Sequence, residues 1–202
     1  MNENEIIPRY EFRAFAQNFG IVEERIRALS PVENLRESLD TYIISADTDE
    51  NNTKIRYGQM DIKVFVEERR GLEQWKPRMK AEFPLAVDLI REEVFPAWGV
   101  RLPKFQRSSY TKTQFLEEII WPHPALYIAE VYKLRFSFTV NDCITEIAHL
   151  LVNGASIRTV AVESPNVEAV LKARHMVRLE EYANTNYLVA IKRIMGLRKA
   201  EG

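Results

Sequence analysis

Cysteine is nearly missing: Cys143 stands alone among 202 residues, which excludes an internal disulfide and any zinc site built on several thiolates. Glycine is scarce at seven and the nine prolines are scattered, so no Gly/Ser linker, low-complexity tract or repeat interrupts the chain. No apolar run approaches the ~18 residues of a membrane span. The acidic start Met1-Asn2-Glu3-Asn4-Glu5 also lacks the basic-then-apolar layout of a secretion signal. Neither charge dominates, with 28 Lys and Arg against 29 Asp and Glu, so a general nucleic-acid or anionic-membrane binder is disfavoured. There is no Gly-x-Gly-x-x-Gly, P-loop or Gly-x-Ser-x-Gly sequence, and His123, His149 and His175 have no metal-ligand spacing. What remains is the expectation of one cytoplasmic domain over residues 1–202, free of membrane and nucleic acid. Its 46% hydrophobic residues suffice for a core.

Against that background the chain is rich in alternation. Strand patterns cover Pro8–Phe15, Asp40–Ser45, Thr53–Tyr57, Met60–Val66 and Lys76–Phe83. After a break at Pro96 to Ser109 they resume at Glu130–Val140, Cys143–Val152 and Ser156–Glu163. Turn chemistry at Gly58-Gln59, Asn141-Asp142 and Asn153-Gly154-Ala155 joins them as antiparallel hairpins. Helices are expected where Phe19, Val22, Ile26 and Leu29 share a face, over Pro84 to Phe95, and from the Thr111-x-x-Gln114 capping box to Ile120. Two more are expected: one with Ser164 as its N-cap and Pro165 in its first turn, and one over Asn186 to Met195 with Gly196 as the residue past the end. The fold class is α+β: an antiparallel sheet with helices packed outside it.

The residue types that alternate point to function. In Arg9-Tyr10-Glu11-Phe12-Arg13 the charges share one face and the aromatics the other. Lys54 with Arg56, Asp61 with Lys63, Arg78 with Lys80, and Lys133 with Arg135 repeat the arrangement. If the sheet curls into a barrel, these cations converge and repel one another unless an anion sits among them. A phosphate chain suits, because Lys and Arg bind its oxygens by charge-assisted hydrogen bonds. Glu11, Glu146 and Glu163 could then hold a divalent cation beside it. Glu146 shares its face with Ile144, Ala148 and Leu150, so a twist or bulge is expected there to bring it inside. The alternatives are a sheet with one solvated basic face and, at Trp75 to Lys80, a weak single-stranded nucleic-acid pattern.

In element order and charge placement, residues 7–195 resemble a CYTH domain, the family also called triphosphate tunnel metalloenzymes. The resemblance implies a closed antiparallel β tunnel lined by basic and acidic side chains. Family members include inorganic and thiamine triphosphatases and class IV adenylyl cyclases. The family's first strand carries Glu-x-Glu-x-Lys; here the run is Arg9-x-Glu11-x-Arg13, with Arg9 in place of the first acid. The resemblance implies phosphate contacts from Lys54, Arg56, Lys63, Arg78, Lys80, Lys133 and Arg135. It also implies Mg²⁺ or Mn²⁺ on Glu11, Glu146 and Glu163, with Arg13 beside the reacting phosphates. Arg9 removes a ligand and adds a competing cation, lowering metal affinity and raising affinity for a bare phosphate chain.

Two functions therefore stand beside a purely structural reading, an α+β protein whose basic sheet face is solvated. One is a metal-dependent phosphohydrolase acting on a triphosphate-containing substrate, with Glu11, Arg13, Lys54, Arg56 and Lys63 as its catalytic set. The other is a module of the same fold that binds polyphosphate or a nucleotide without turning it over. The partner in both is a small phosphate-containing anion, and an oligomer is possible. The last helix is a candidate to close one tunnel mouth and add Lys192 or Arg193 to the site.

Overall fold

The computed structural model describes residues 7–197. The period-two segments form eight long strands: β1 (Arg9–Ala16), β2 (Asn34–Ser45), β3 (Asn51–Arg56), β4 (Gln59–Arg69) and β5 (Leu72–Glu82), then β8 (Leu126–Val140), β9 (Cys143–Val152) and β10 (Ala155–Ser164). Between the two groups lie β6 (Leu85–Ala86) and β7 (Ser109–Tyr110), a small separate pair. Every long strand pairs antiparallel with its neighbours in the order β1-β10-β9-β8-β2-β3-β4-β5. The order closes because β1 pairs with β10 on one side and with β5 on the other. Closure leaves no open edge.

Four joins are two-residue turns with both residues at positive φ: Tyr57-Gly58, Arg70-Gly71, Asn141-Asp142 and Asn153-Gly154. That geometry matches the twist of the flanking strands. The first lies one residue before the expected Gly58-Gln59, and Ala155 belongs to β10 instead of the last turn. Arg70-Gly71 was not foreseen. Strands β2, β5 and β8 also begin earlier than expected, at Asn34, Leu72 and Leu126 instead of Asp40, Lys76 and Glu130. Five of β2's six added residues are exposed, Leu35 and Leu39 among them, so no buried apolar face marks it.

Five helical segments surround the barrel. α1 (Ile21–Leu29) buries Val22 and Ile26. α2 runs from Val87–Leu89 through a wide π turn, Ile90–Val94, into Phe95–Trp98, and Gly99 at φ 65 ends it. The helix expected from Pro84 thus starts later, because Leu85 and Ala86 pair with Tyr110 and Ser109. α3 (Lys112–Gln114 with Phe115–Ile120) opens on the expected Thr111/Gln114 capping box. α4 (Val167–Met176) is capped by Asn166, whose side chain accepts from the backbones of Glu168 and Ala169. The expected cap, Ser164, is the last residue of β10. α5 (Tyr187–Ile194) is capped by Asn186 and ends before Gly196 at φ 71.

The outward strand faces carry the large apolar side chains, and helices cover much of that surface. Phe12, Phe138, Ile147, Val160 and Val162 pack with α1 and α4. Ile43, Ile55, Met60 and Ile62 pack with α2 and α3. Each such side chain, once buried, contributes about 1.5–3 kcal/mol. A third cluster explains the shape of the interior. Tyr42, Ile44, Val131, Ala148, Leu150 and Val152, from three strands, meet Leu188 and Ile191 of α5. Apolar packing with α5 therefore closes one end of the barrel. The other end stays lined with charge.

Candidate functional site

Alternation places β1, β2, β3, β4, β8, β9 and β10 side chains in a pocket of about 350 Å³ at the open end. Arg9, Glu11, Arg13, Lys54, Arg56, Lys63, Lys133, Arg135, Glu146 and Glu163, all singled out in the sequence, line it together. The basic face is therefore interior: Lys133 is 2% exposed, Lys54 6% and Arg135 8%. Among the described residues, eight Lys and Arg line the pocket with three Glu, an excess of five positive charges (8 − 3) in a chain of net charge −1.

Two expected phosphate contacts lie elsewhere. The β4/β5 register slips between the pairs Ile62/Met79 and Lys63/Pro77, so Arg78 is a bulged residue. It pairs outside the pocket with Glu93 at 3.0 Å. Lys80, opposite Asp61, is exposed and does not line the pocket. Glu146 needed no bulge, since it sits in regular register with Ser137 and Ala161. Its face turns from acid to apolar, Ala148 then Leu150, because the strand descends from the pocket to the sealed end. Lys192 turns away to Asp49 at 2.7 Å and the Thr48 carbonyl at 3.0 Å. Tyr187 of α5 and its cap Asn186 do reach the pocket.

The site has a basic wall and a mixed wall. On the basic wall, fully buried Asp40 holds Arg56 at 3.2 Å and Lys133 at 3.1 Å. Lys133 also donates to the Tyr42 hydroxyl at 2.7 Å and lies 3.8 Å from the Tyr187 ring centre. Lys54 meets Asp61 at 3.5 Å. Arg135 donates to Ser38 at 3.0 Å, while its buried Nε has no hydrogen-bond partner. On the mixed wall, Arg13 grips both oxygens of Glu11, at 2.8 and 3.1 Å, and reaches Glu146 and the Thr159 hydroxyl, each at 3.3 Å. Arg9 covers Glu163 at 3.4 Å. Sequence reasoning missed Asp40, Arg36, Tyr42, Asn52 and Tyr187. Arg36 lay in the unread part of β2, and nothing local marks an Asp as the counter-ion of cations on two other strands.

Charge crowding shifts the titrations. Burial, then the neighbouring Arg56, push Lys54 down to about 8, against the pull of Asp61. Burial also drives Lys133 well below the ordinary lysine range, with Lys54 adding to the effect against Asp40. Burial raises the Glu163 carboxyl, and the adjacent Glu11 raises it further. Burial opposes ionisation of Glu11, but Arg13, Lys63 and Lys54 together hold it below the usual range. In the ligand-free fold Lys54 binds fewer protons than in the unfolded chain from about pH 8 up to its ordinary value. Its ionisation thus costs stability below pH 8, and that cost fades as pH rises. An anion beside Lys54 raises its pKa again. We therefore expect tripolyphosphate binding near pH 8 to take up protons, read by calorimetry in buffers of different ionisation enthalpy, and Lys54→Met to take up fewer. Equal uptake by both proteins places the anion away from Lys54.

The carboxylates do not form a metal centre as arranged. Among the described residues, no group of three or more His, Cys, Asp or Glu could hold a metal ion. Glu11, Glu146 and Glu163 each accept from Arg13 or Arg9 instead. Mg²⁺ or Mn²⁺ does not fit this donor set.

The architecture has counterparts among solved structures. A putative adenylyl cyclase from Hippeastrum, described as revealing a dominant triphosphatase activity, matches with a TM-score of 0.51 at 10% identity, over 91% of this chain and 95% of that one. A putative adenylate cyclase from Bacillus halodurans gives 0.50 at 12%, over 93% and 98%. A conserved hypothetical protein from Pyrococcus furiosus gives 0.50 at 15%, over 89% and 98%. No family model and no curated protein matches the chain. Identities this low establish the fold alone. The chain shares the fold of these proteins: an eight-stranded antiparallel closed barrel, here with a charged interior open at one end.

Proposed function

We propose that the protein holds the phosphate chain of a triphosphate-containing small molecule inside the barrel. The single observation that carries this reading is the concentration of buried positive charge in the pocket, which Asp40 and Asp61 behind its basic wall offset only in part. Five more cations than carboxylates line it, the Arg135 Nε is unpartnered, and Lys54 is pushed down to about 8. A cluster of this kind is costly when empty and is relieved by a polyanion. Three linked phosphates match it better than one, because the cations are spread over β2, β3, β4 and β8. Lys54, Arg56, Lys63, Lys133 and Arg135 grip the oxygens, and Arg36 stands on the same wall. The likeness in fold to the Hippeastrum protein, with its described triphosphatase activity, supports a ligand of this class.

Hydrolysis is the second reading, and one observation favours it. Glu11, Glu146 and Glu163 stand on three adjacent strands that line the same pocket as the basic wall. Arg13, Lys54, Arg56 and Lys63 would then supply fixed positive charge to a phosphoryl group in transfer. The metal-dependent form of this reading needs the three acids released from Arg9 and Arg13, so no metal-borne step is derived.

Calorimetry with tripolyphosphate, joined to a phosphate-release assay with Mg²⁺ and with Mn²⁺, separates the readings. Binding without release is the expected result. Release that Lys54→Ala/Arg56→Ala abolishes makes the protein a phosphohydrolase. No binding and no release overturns both.

A further inference from the structure

The three pocket carboxylates are occupied by cations that the chain itself supplies. Arg13 takes both oxygens of Glu11 and one of Glu146, while Arg9 takes one of Glu163. A guanidinium stays charged at any working pH, so these cations cannot be titrated away. Nor is Arg13 free to withdraw. Its guanidinium lies 4.8 Å from the Tyr187 ring centre and donates to Thr159. Both polar groups of its backbone are pinned by one segment, the N–H donating to Asn184 Oδ1 at 2.8 Å and the carbonyl accepting from the Thr185 N–H at 2.7 Å. The segment before α5 thus locks Arg13 onto β1, just beyond the stretch where β5 pairs with it.

A divalent cation entering the pocket would have to displace a fixed guanidinium from its carboxylates and then sit beside it. It would gain hard oxygen ligands and lose them again to like-charge repulsion. A bare phosphate chain meets no such conflict. We propose that Arg13 and Arg9 fill the place of a bridging metal, so that the pocket takes its triphosphate ligand in the metal-free form and discriminates against the magnesium complex. This rests on the pocket being a triphosphate site and specifies which form of the ligand enters it. Magnesium, which chelates the same phosphate oxygens in solution, then competes with the protein and does not assist it.

The experiment is calorimetric titration of the full chain with tripolyphosphate, once in EDTA and once in excess Mg²⁺ at matched ionic strength, because screening alone weakens such contacts. The expected result is binding in EDTA that Mg²⁺ weakens about tenfold or more. A second titration with Mn²⁺ alone should give no heat of binding. Arg9 is half-exposed, so Arg9→Gln can be made without opening the core. It uncovers Glu163, and the penalty imposed by Mg²⁺ should shrink in that variant. Binding that is unchanged or tightened by Mg²⁺, or Mn²⁺ bound by the unaltered protein, overturns this inference and leaves the triphosphate site standing. Absence of binding in both buffers overturns the site as well.

Discussion

Lys54→Ala combined with Arg56→Ala is expected to weaken tripolyphosphate binding by roughly 10²- to 10⁴-fold. The magnitude follows from two charge-assisted contacts of about 1.5–3 kcal/mol each and about 1.4 kcal/mol per tenfold in affinity. Both side chains line the pocket from β3, and Lys54 is almost fully buried there. Neither belongs to the helical layers that form the outer core. The barrel is expected to persist, with Lys133 still paired to Asp40. Calorimetry measures the loss, and a melting curve on the same sample confirms the fold. Full affinity in a folded double variant would place the ligand outside the barrel.

Asp40 carries the second large effect, on stability. Its carboxylate is fully buried between Arg56 and Lys133, which are supplied by two different strands. Removing one partner of a buried ion pair costs about 3–5 kcal/mol, because the remaining charges stay buried and uncompensated. At about 2–4 °C per kcal/mol for a chain of this size, Asp40→Ala should melt roughly 6–20 °C lower. Tripolyphosphate should restore part of that loss, since it brings negative charge back to the same two cations. The effect should also depend on pH. Burial opposes ionisation of Asp40, but Lys133, Arg56 and Lys54 hold its pKa below the ordinary value. Its stabilisation is therefore complete above the unfolded value of about 3.9 and disappears as pH falls through the lower folded value. The variant and the parent should converge in acid. An unchanged melting temperature near neutrality would remove Asp40 from its role as the buried counter-ion.

The barrel was legible in the sequence because its two faces differ so sharply. Phe12 and Ile62 face helices, while Glu11, Lys54 and Lys133 face the pocket, and period two separates them in almost every strand. The apolar end was harder to read. Glu146 seemed misplaced beside Ala148 and Leu150 because a single strand passes from a charged pocket into a packed floor, and alternation cannot say where along a strand the environment changes. Arg78 lies off the pocket because one bulge against Ile62 and Lys63 shifts the face of the residues before Met79, and alternation carries no sign of a bulge. Asp40 and Tyr187 were invisible for a different reason. Asp40 is held by Arg56 and Lys133 from the two strands that flank β2, while Tyr187 meets Arg13 and Lys133 from a helix far along the chain, and strand alternation reports neither kind of neighbour. The Arg9 substitution was plain in the sequence. That Arg13 also occupies Glu11 and Glu146 was visible only in three dimensions.

The most direct measurement is a crystal structure of the protein with tripolyphosphate in metal-free buffer. The account predicts a phosphate chain inside the barrel, its oxygens on Lys54, Arg56, Lys63, Lys133 and Arg135, with Arg13 still holding Glu11. A chain bound on the outer surface, or one reached only through a metal on Glu11, Glu146 and Glu163, would contradict it.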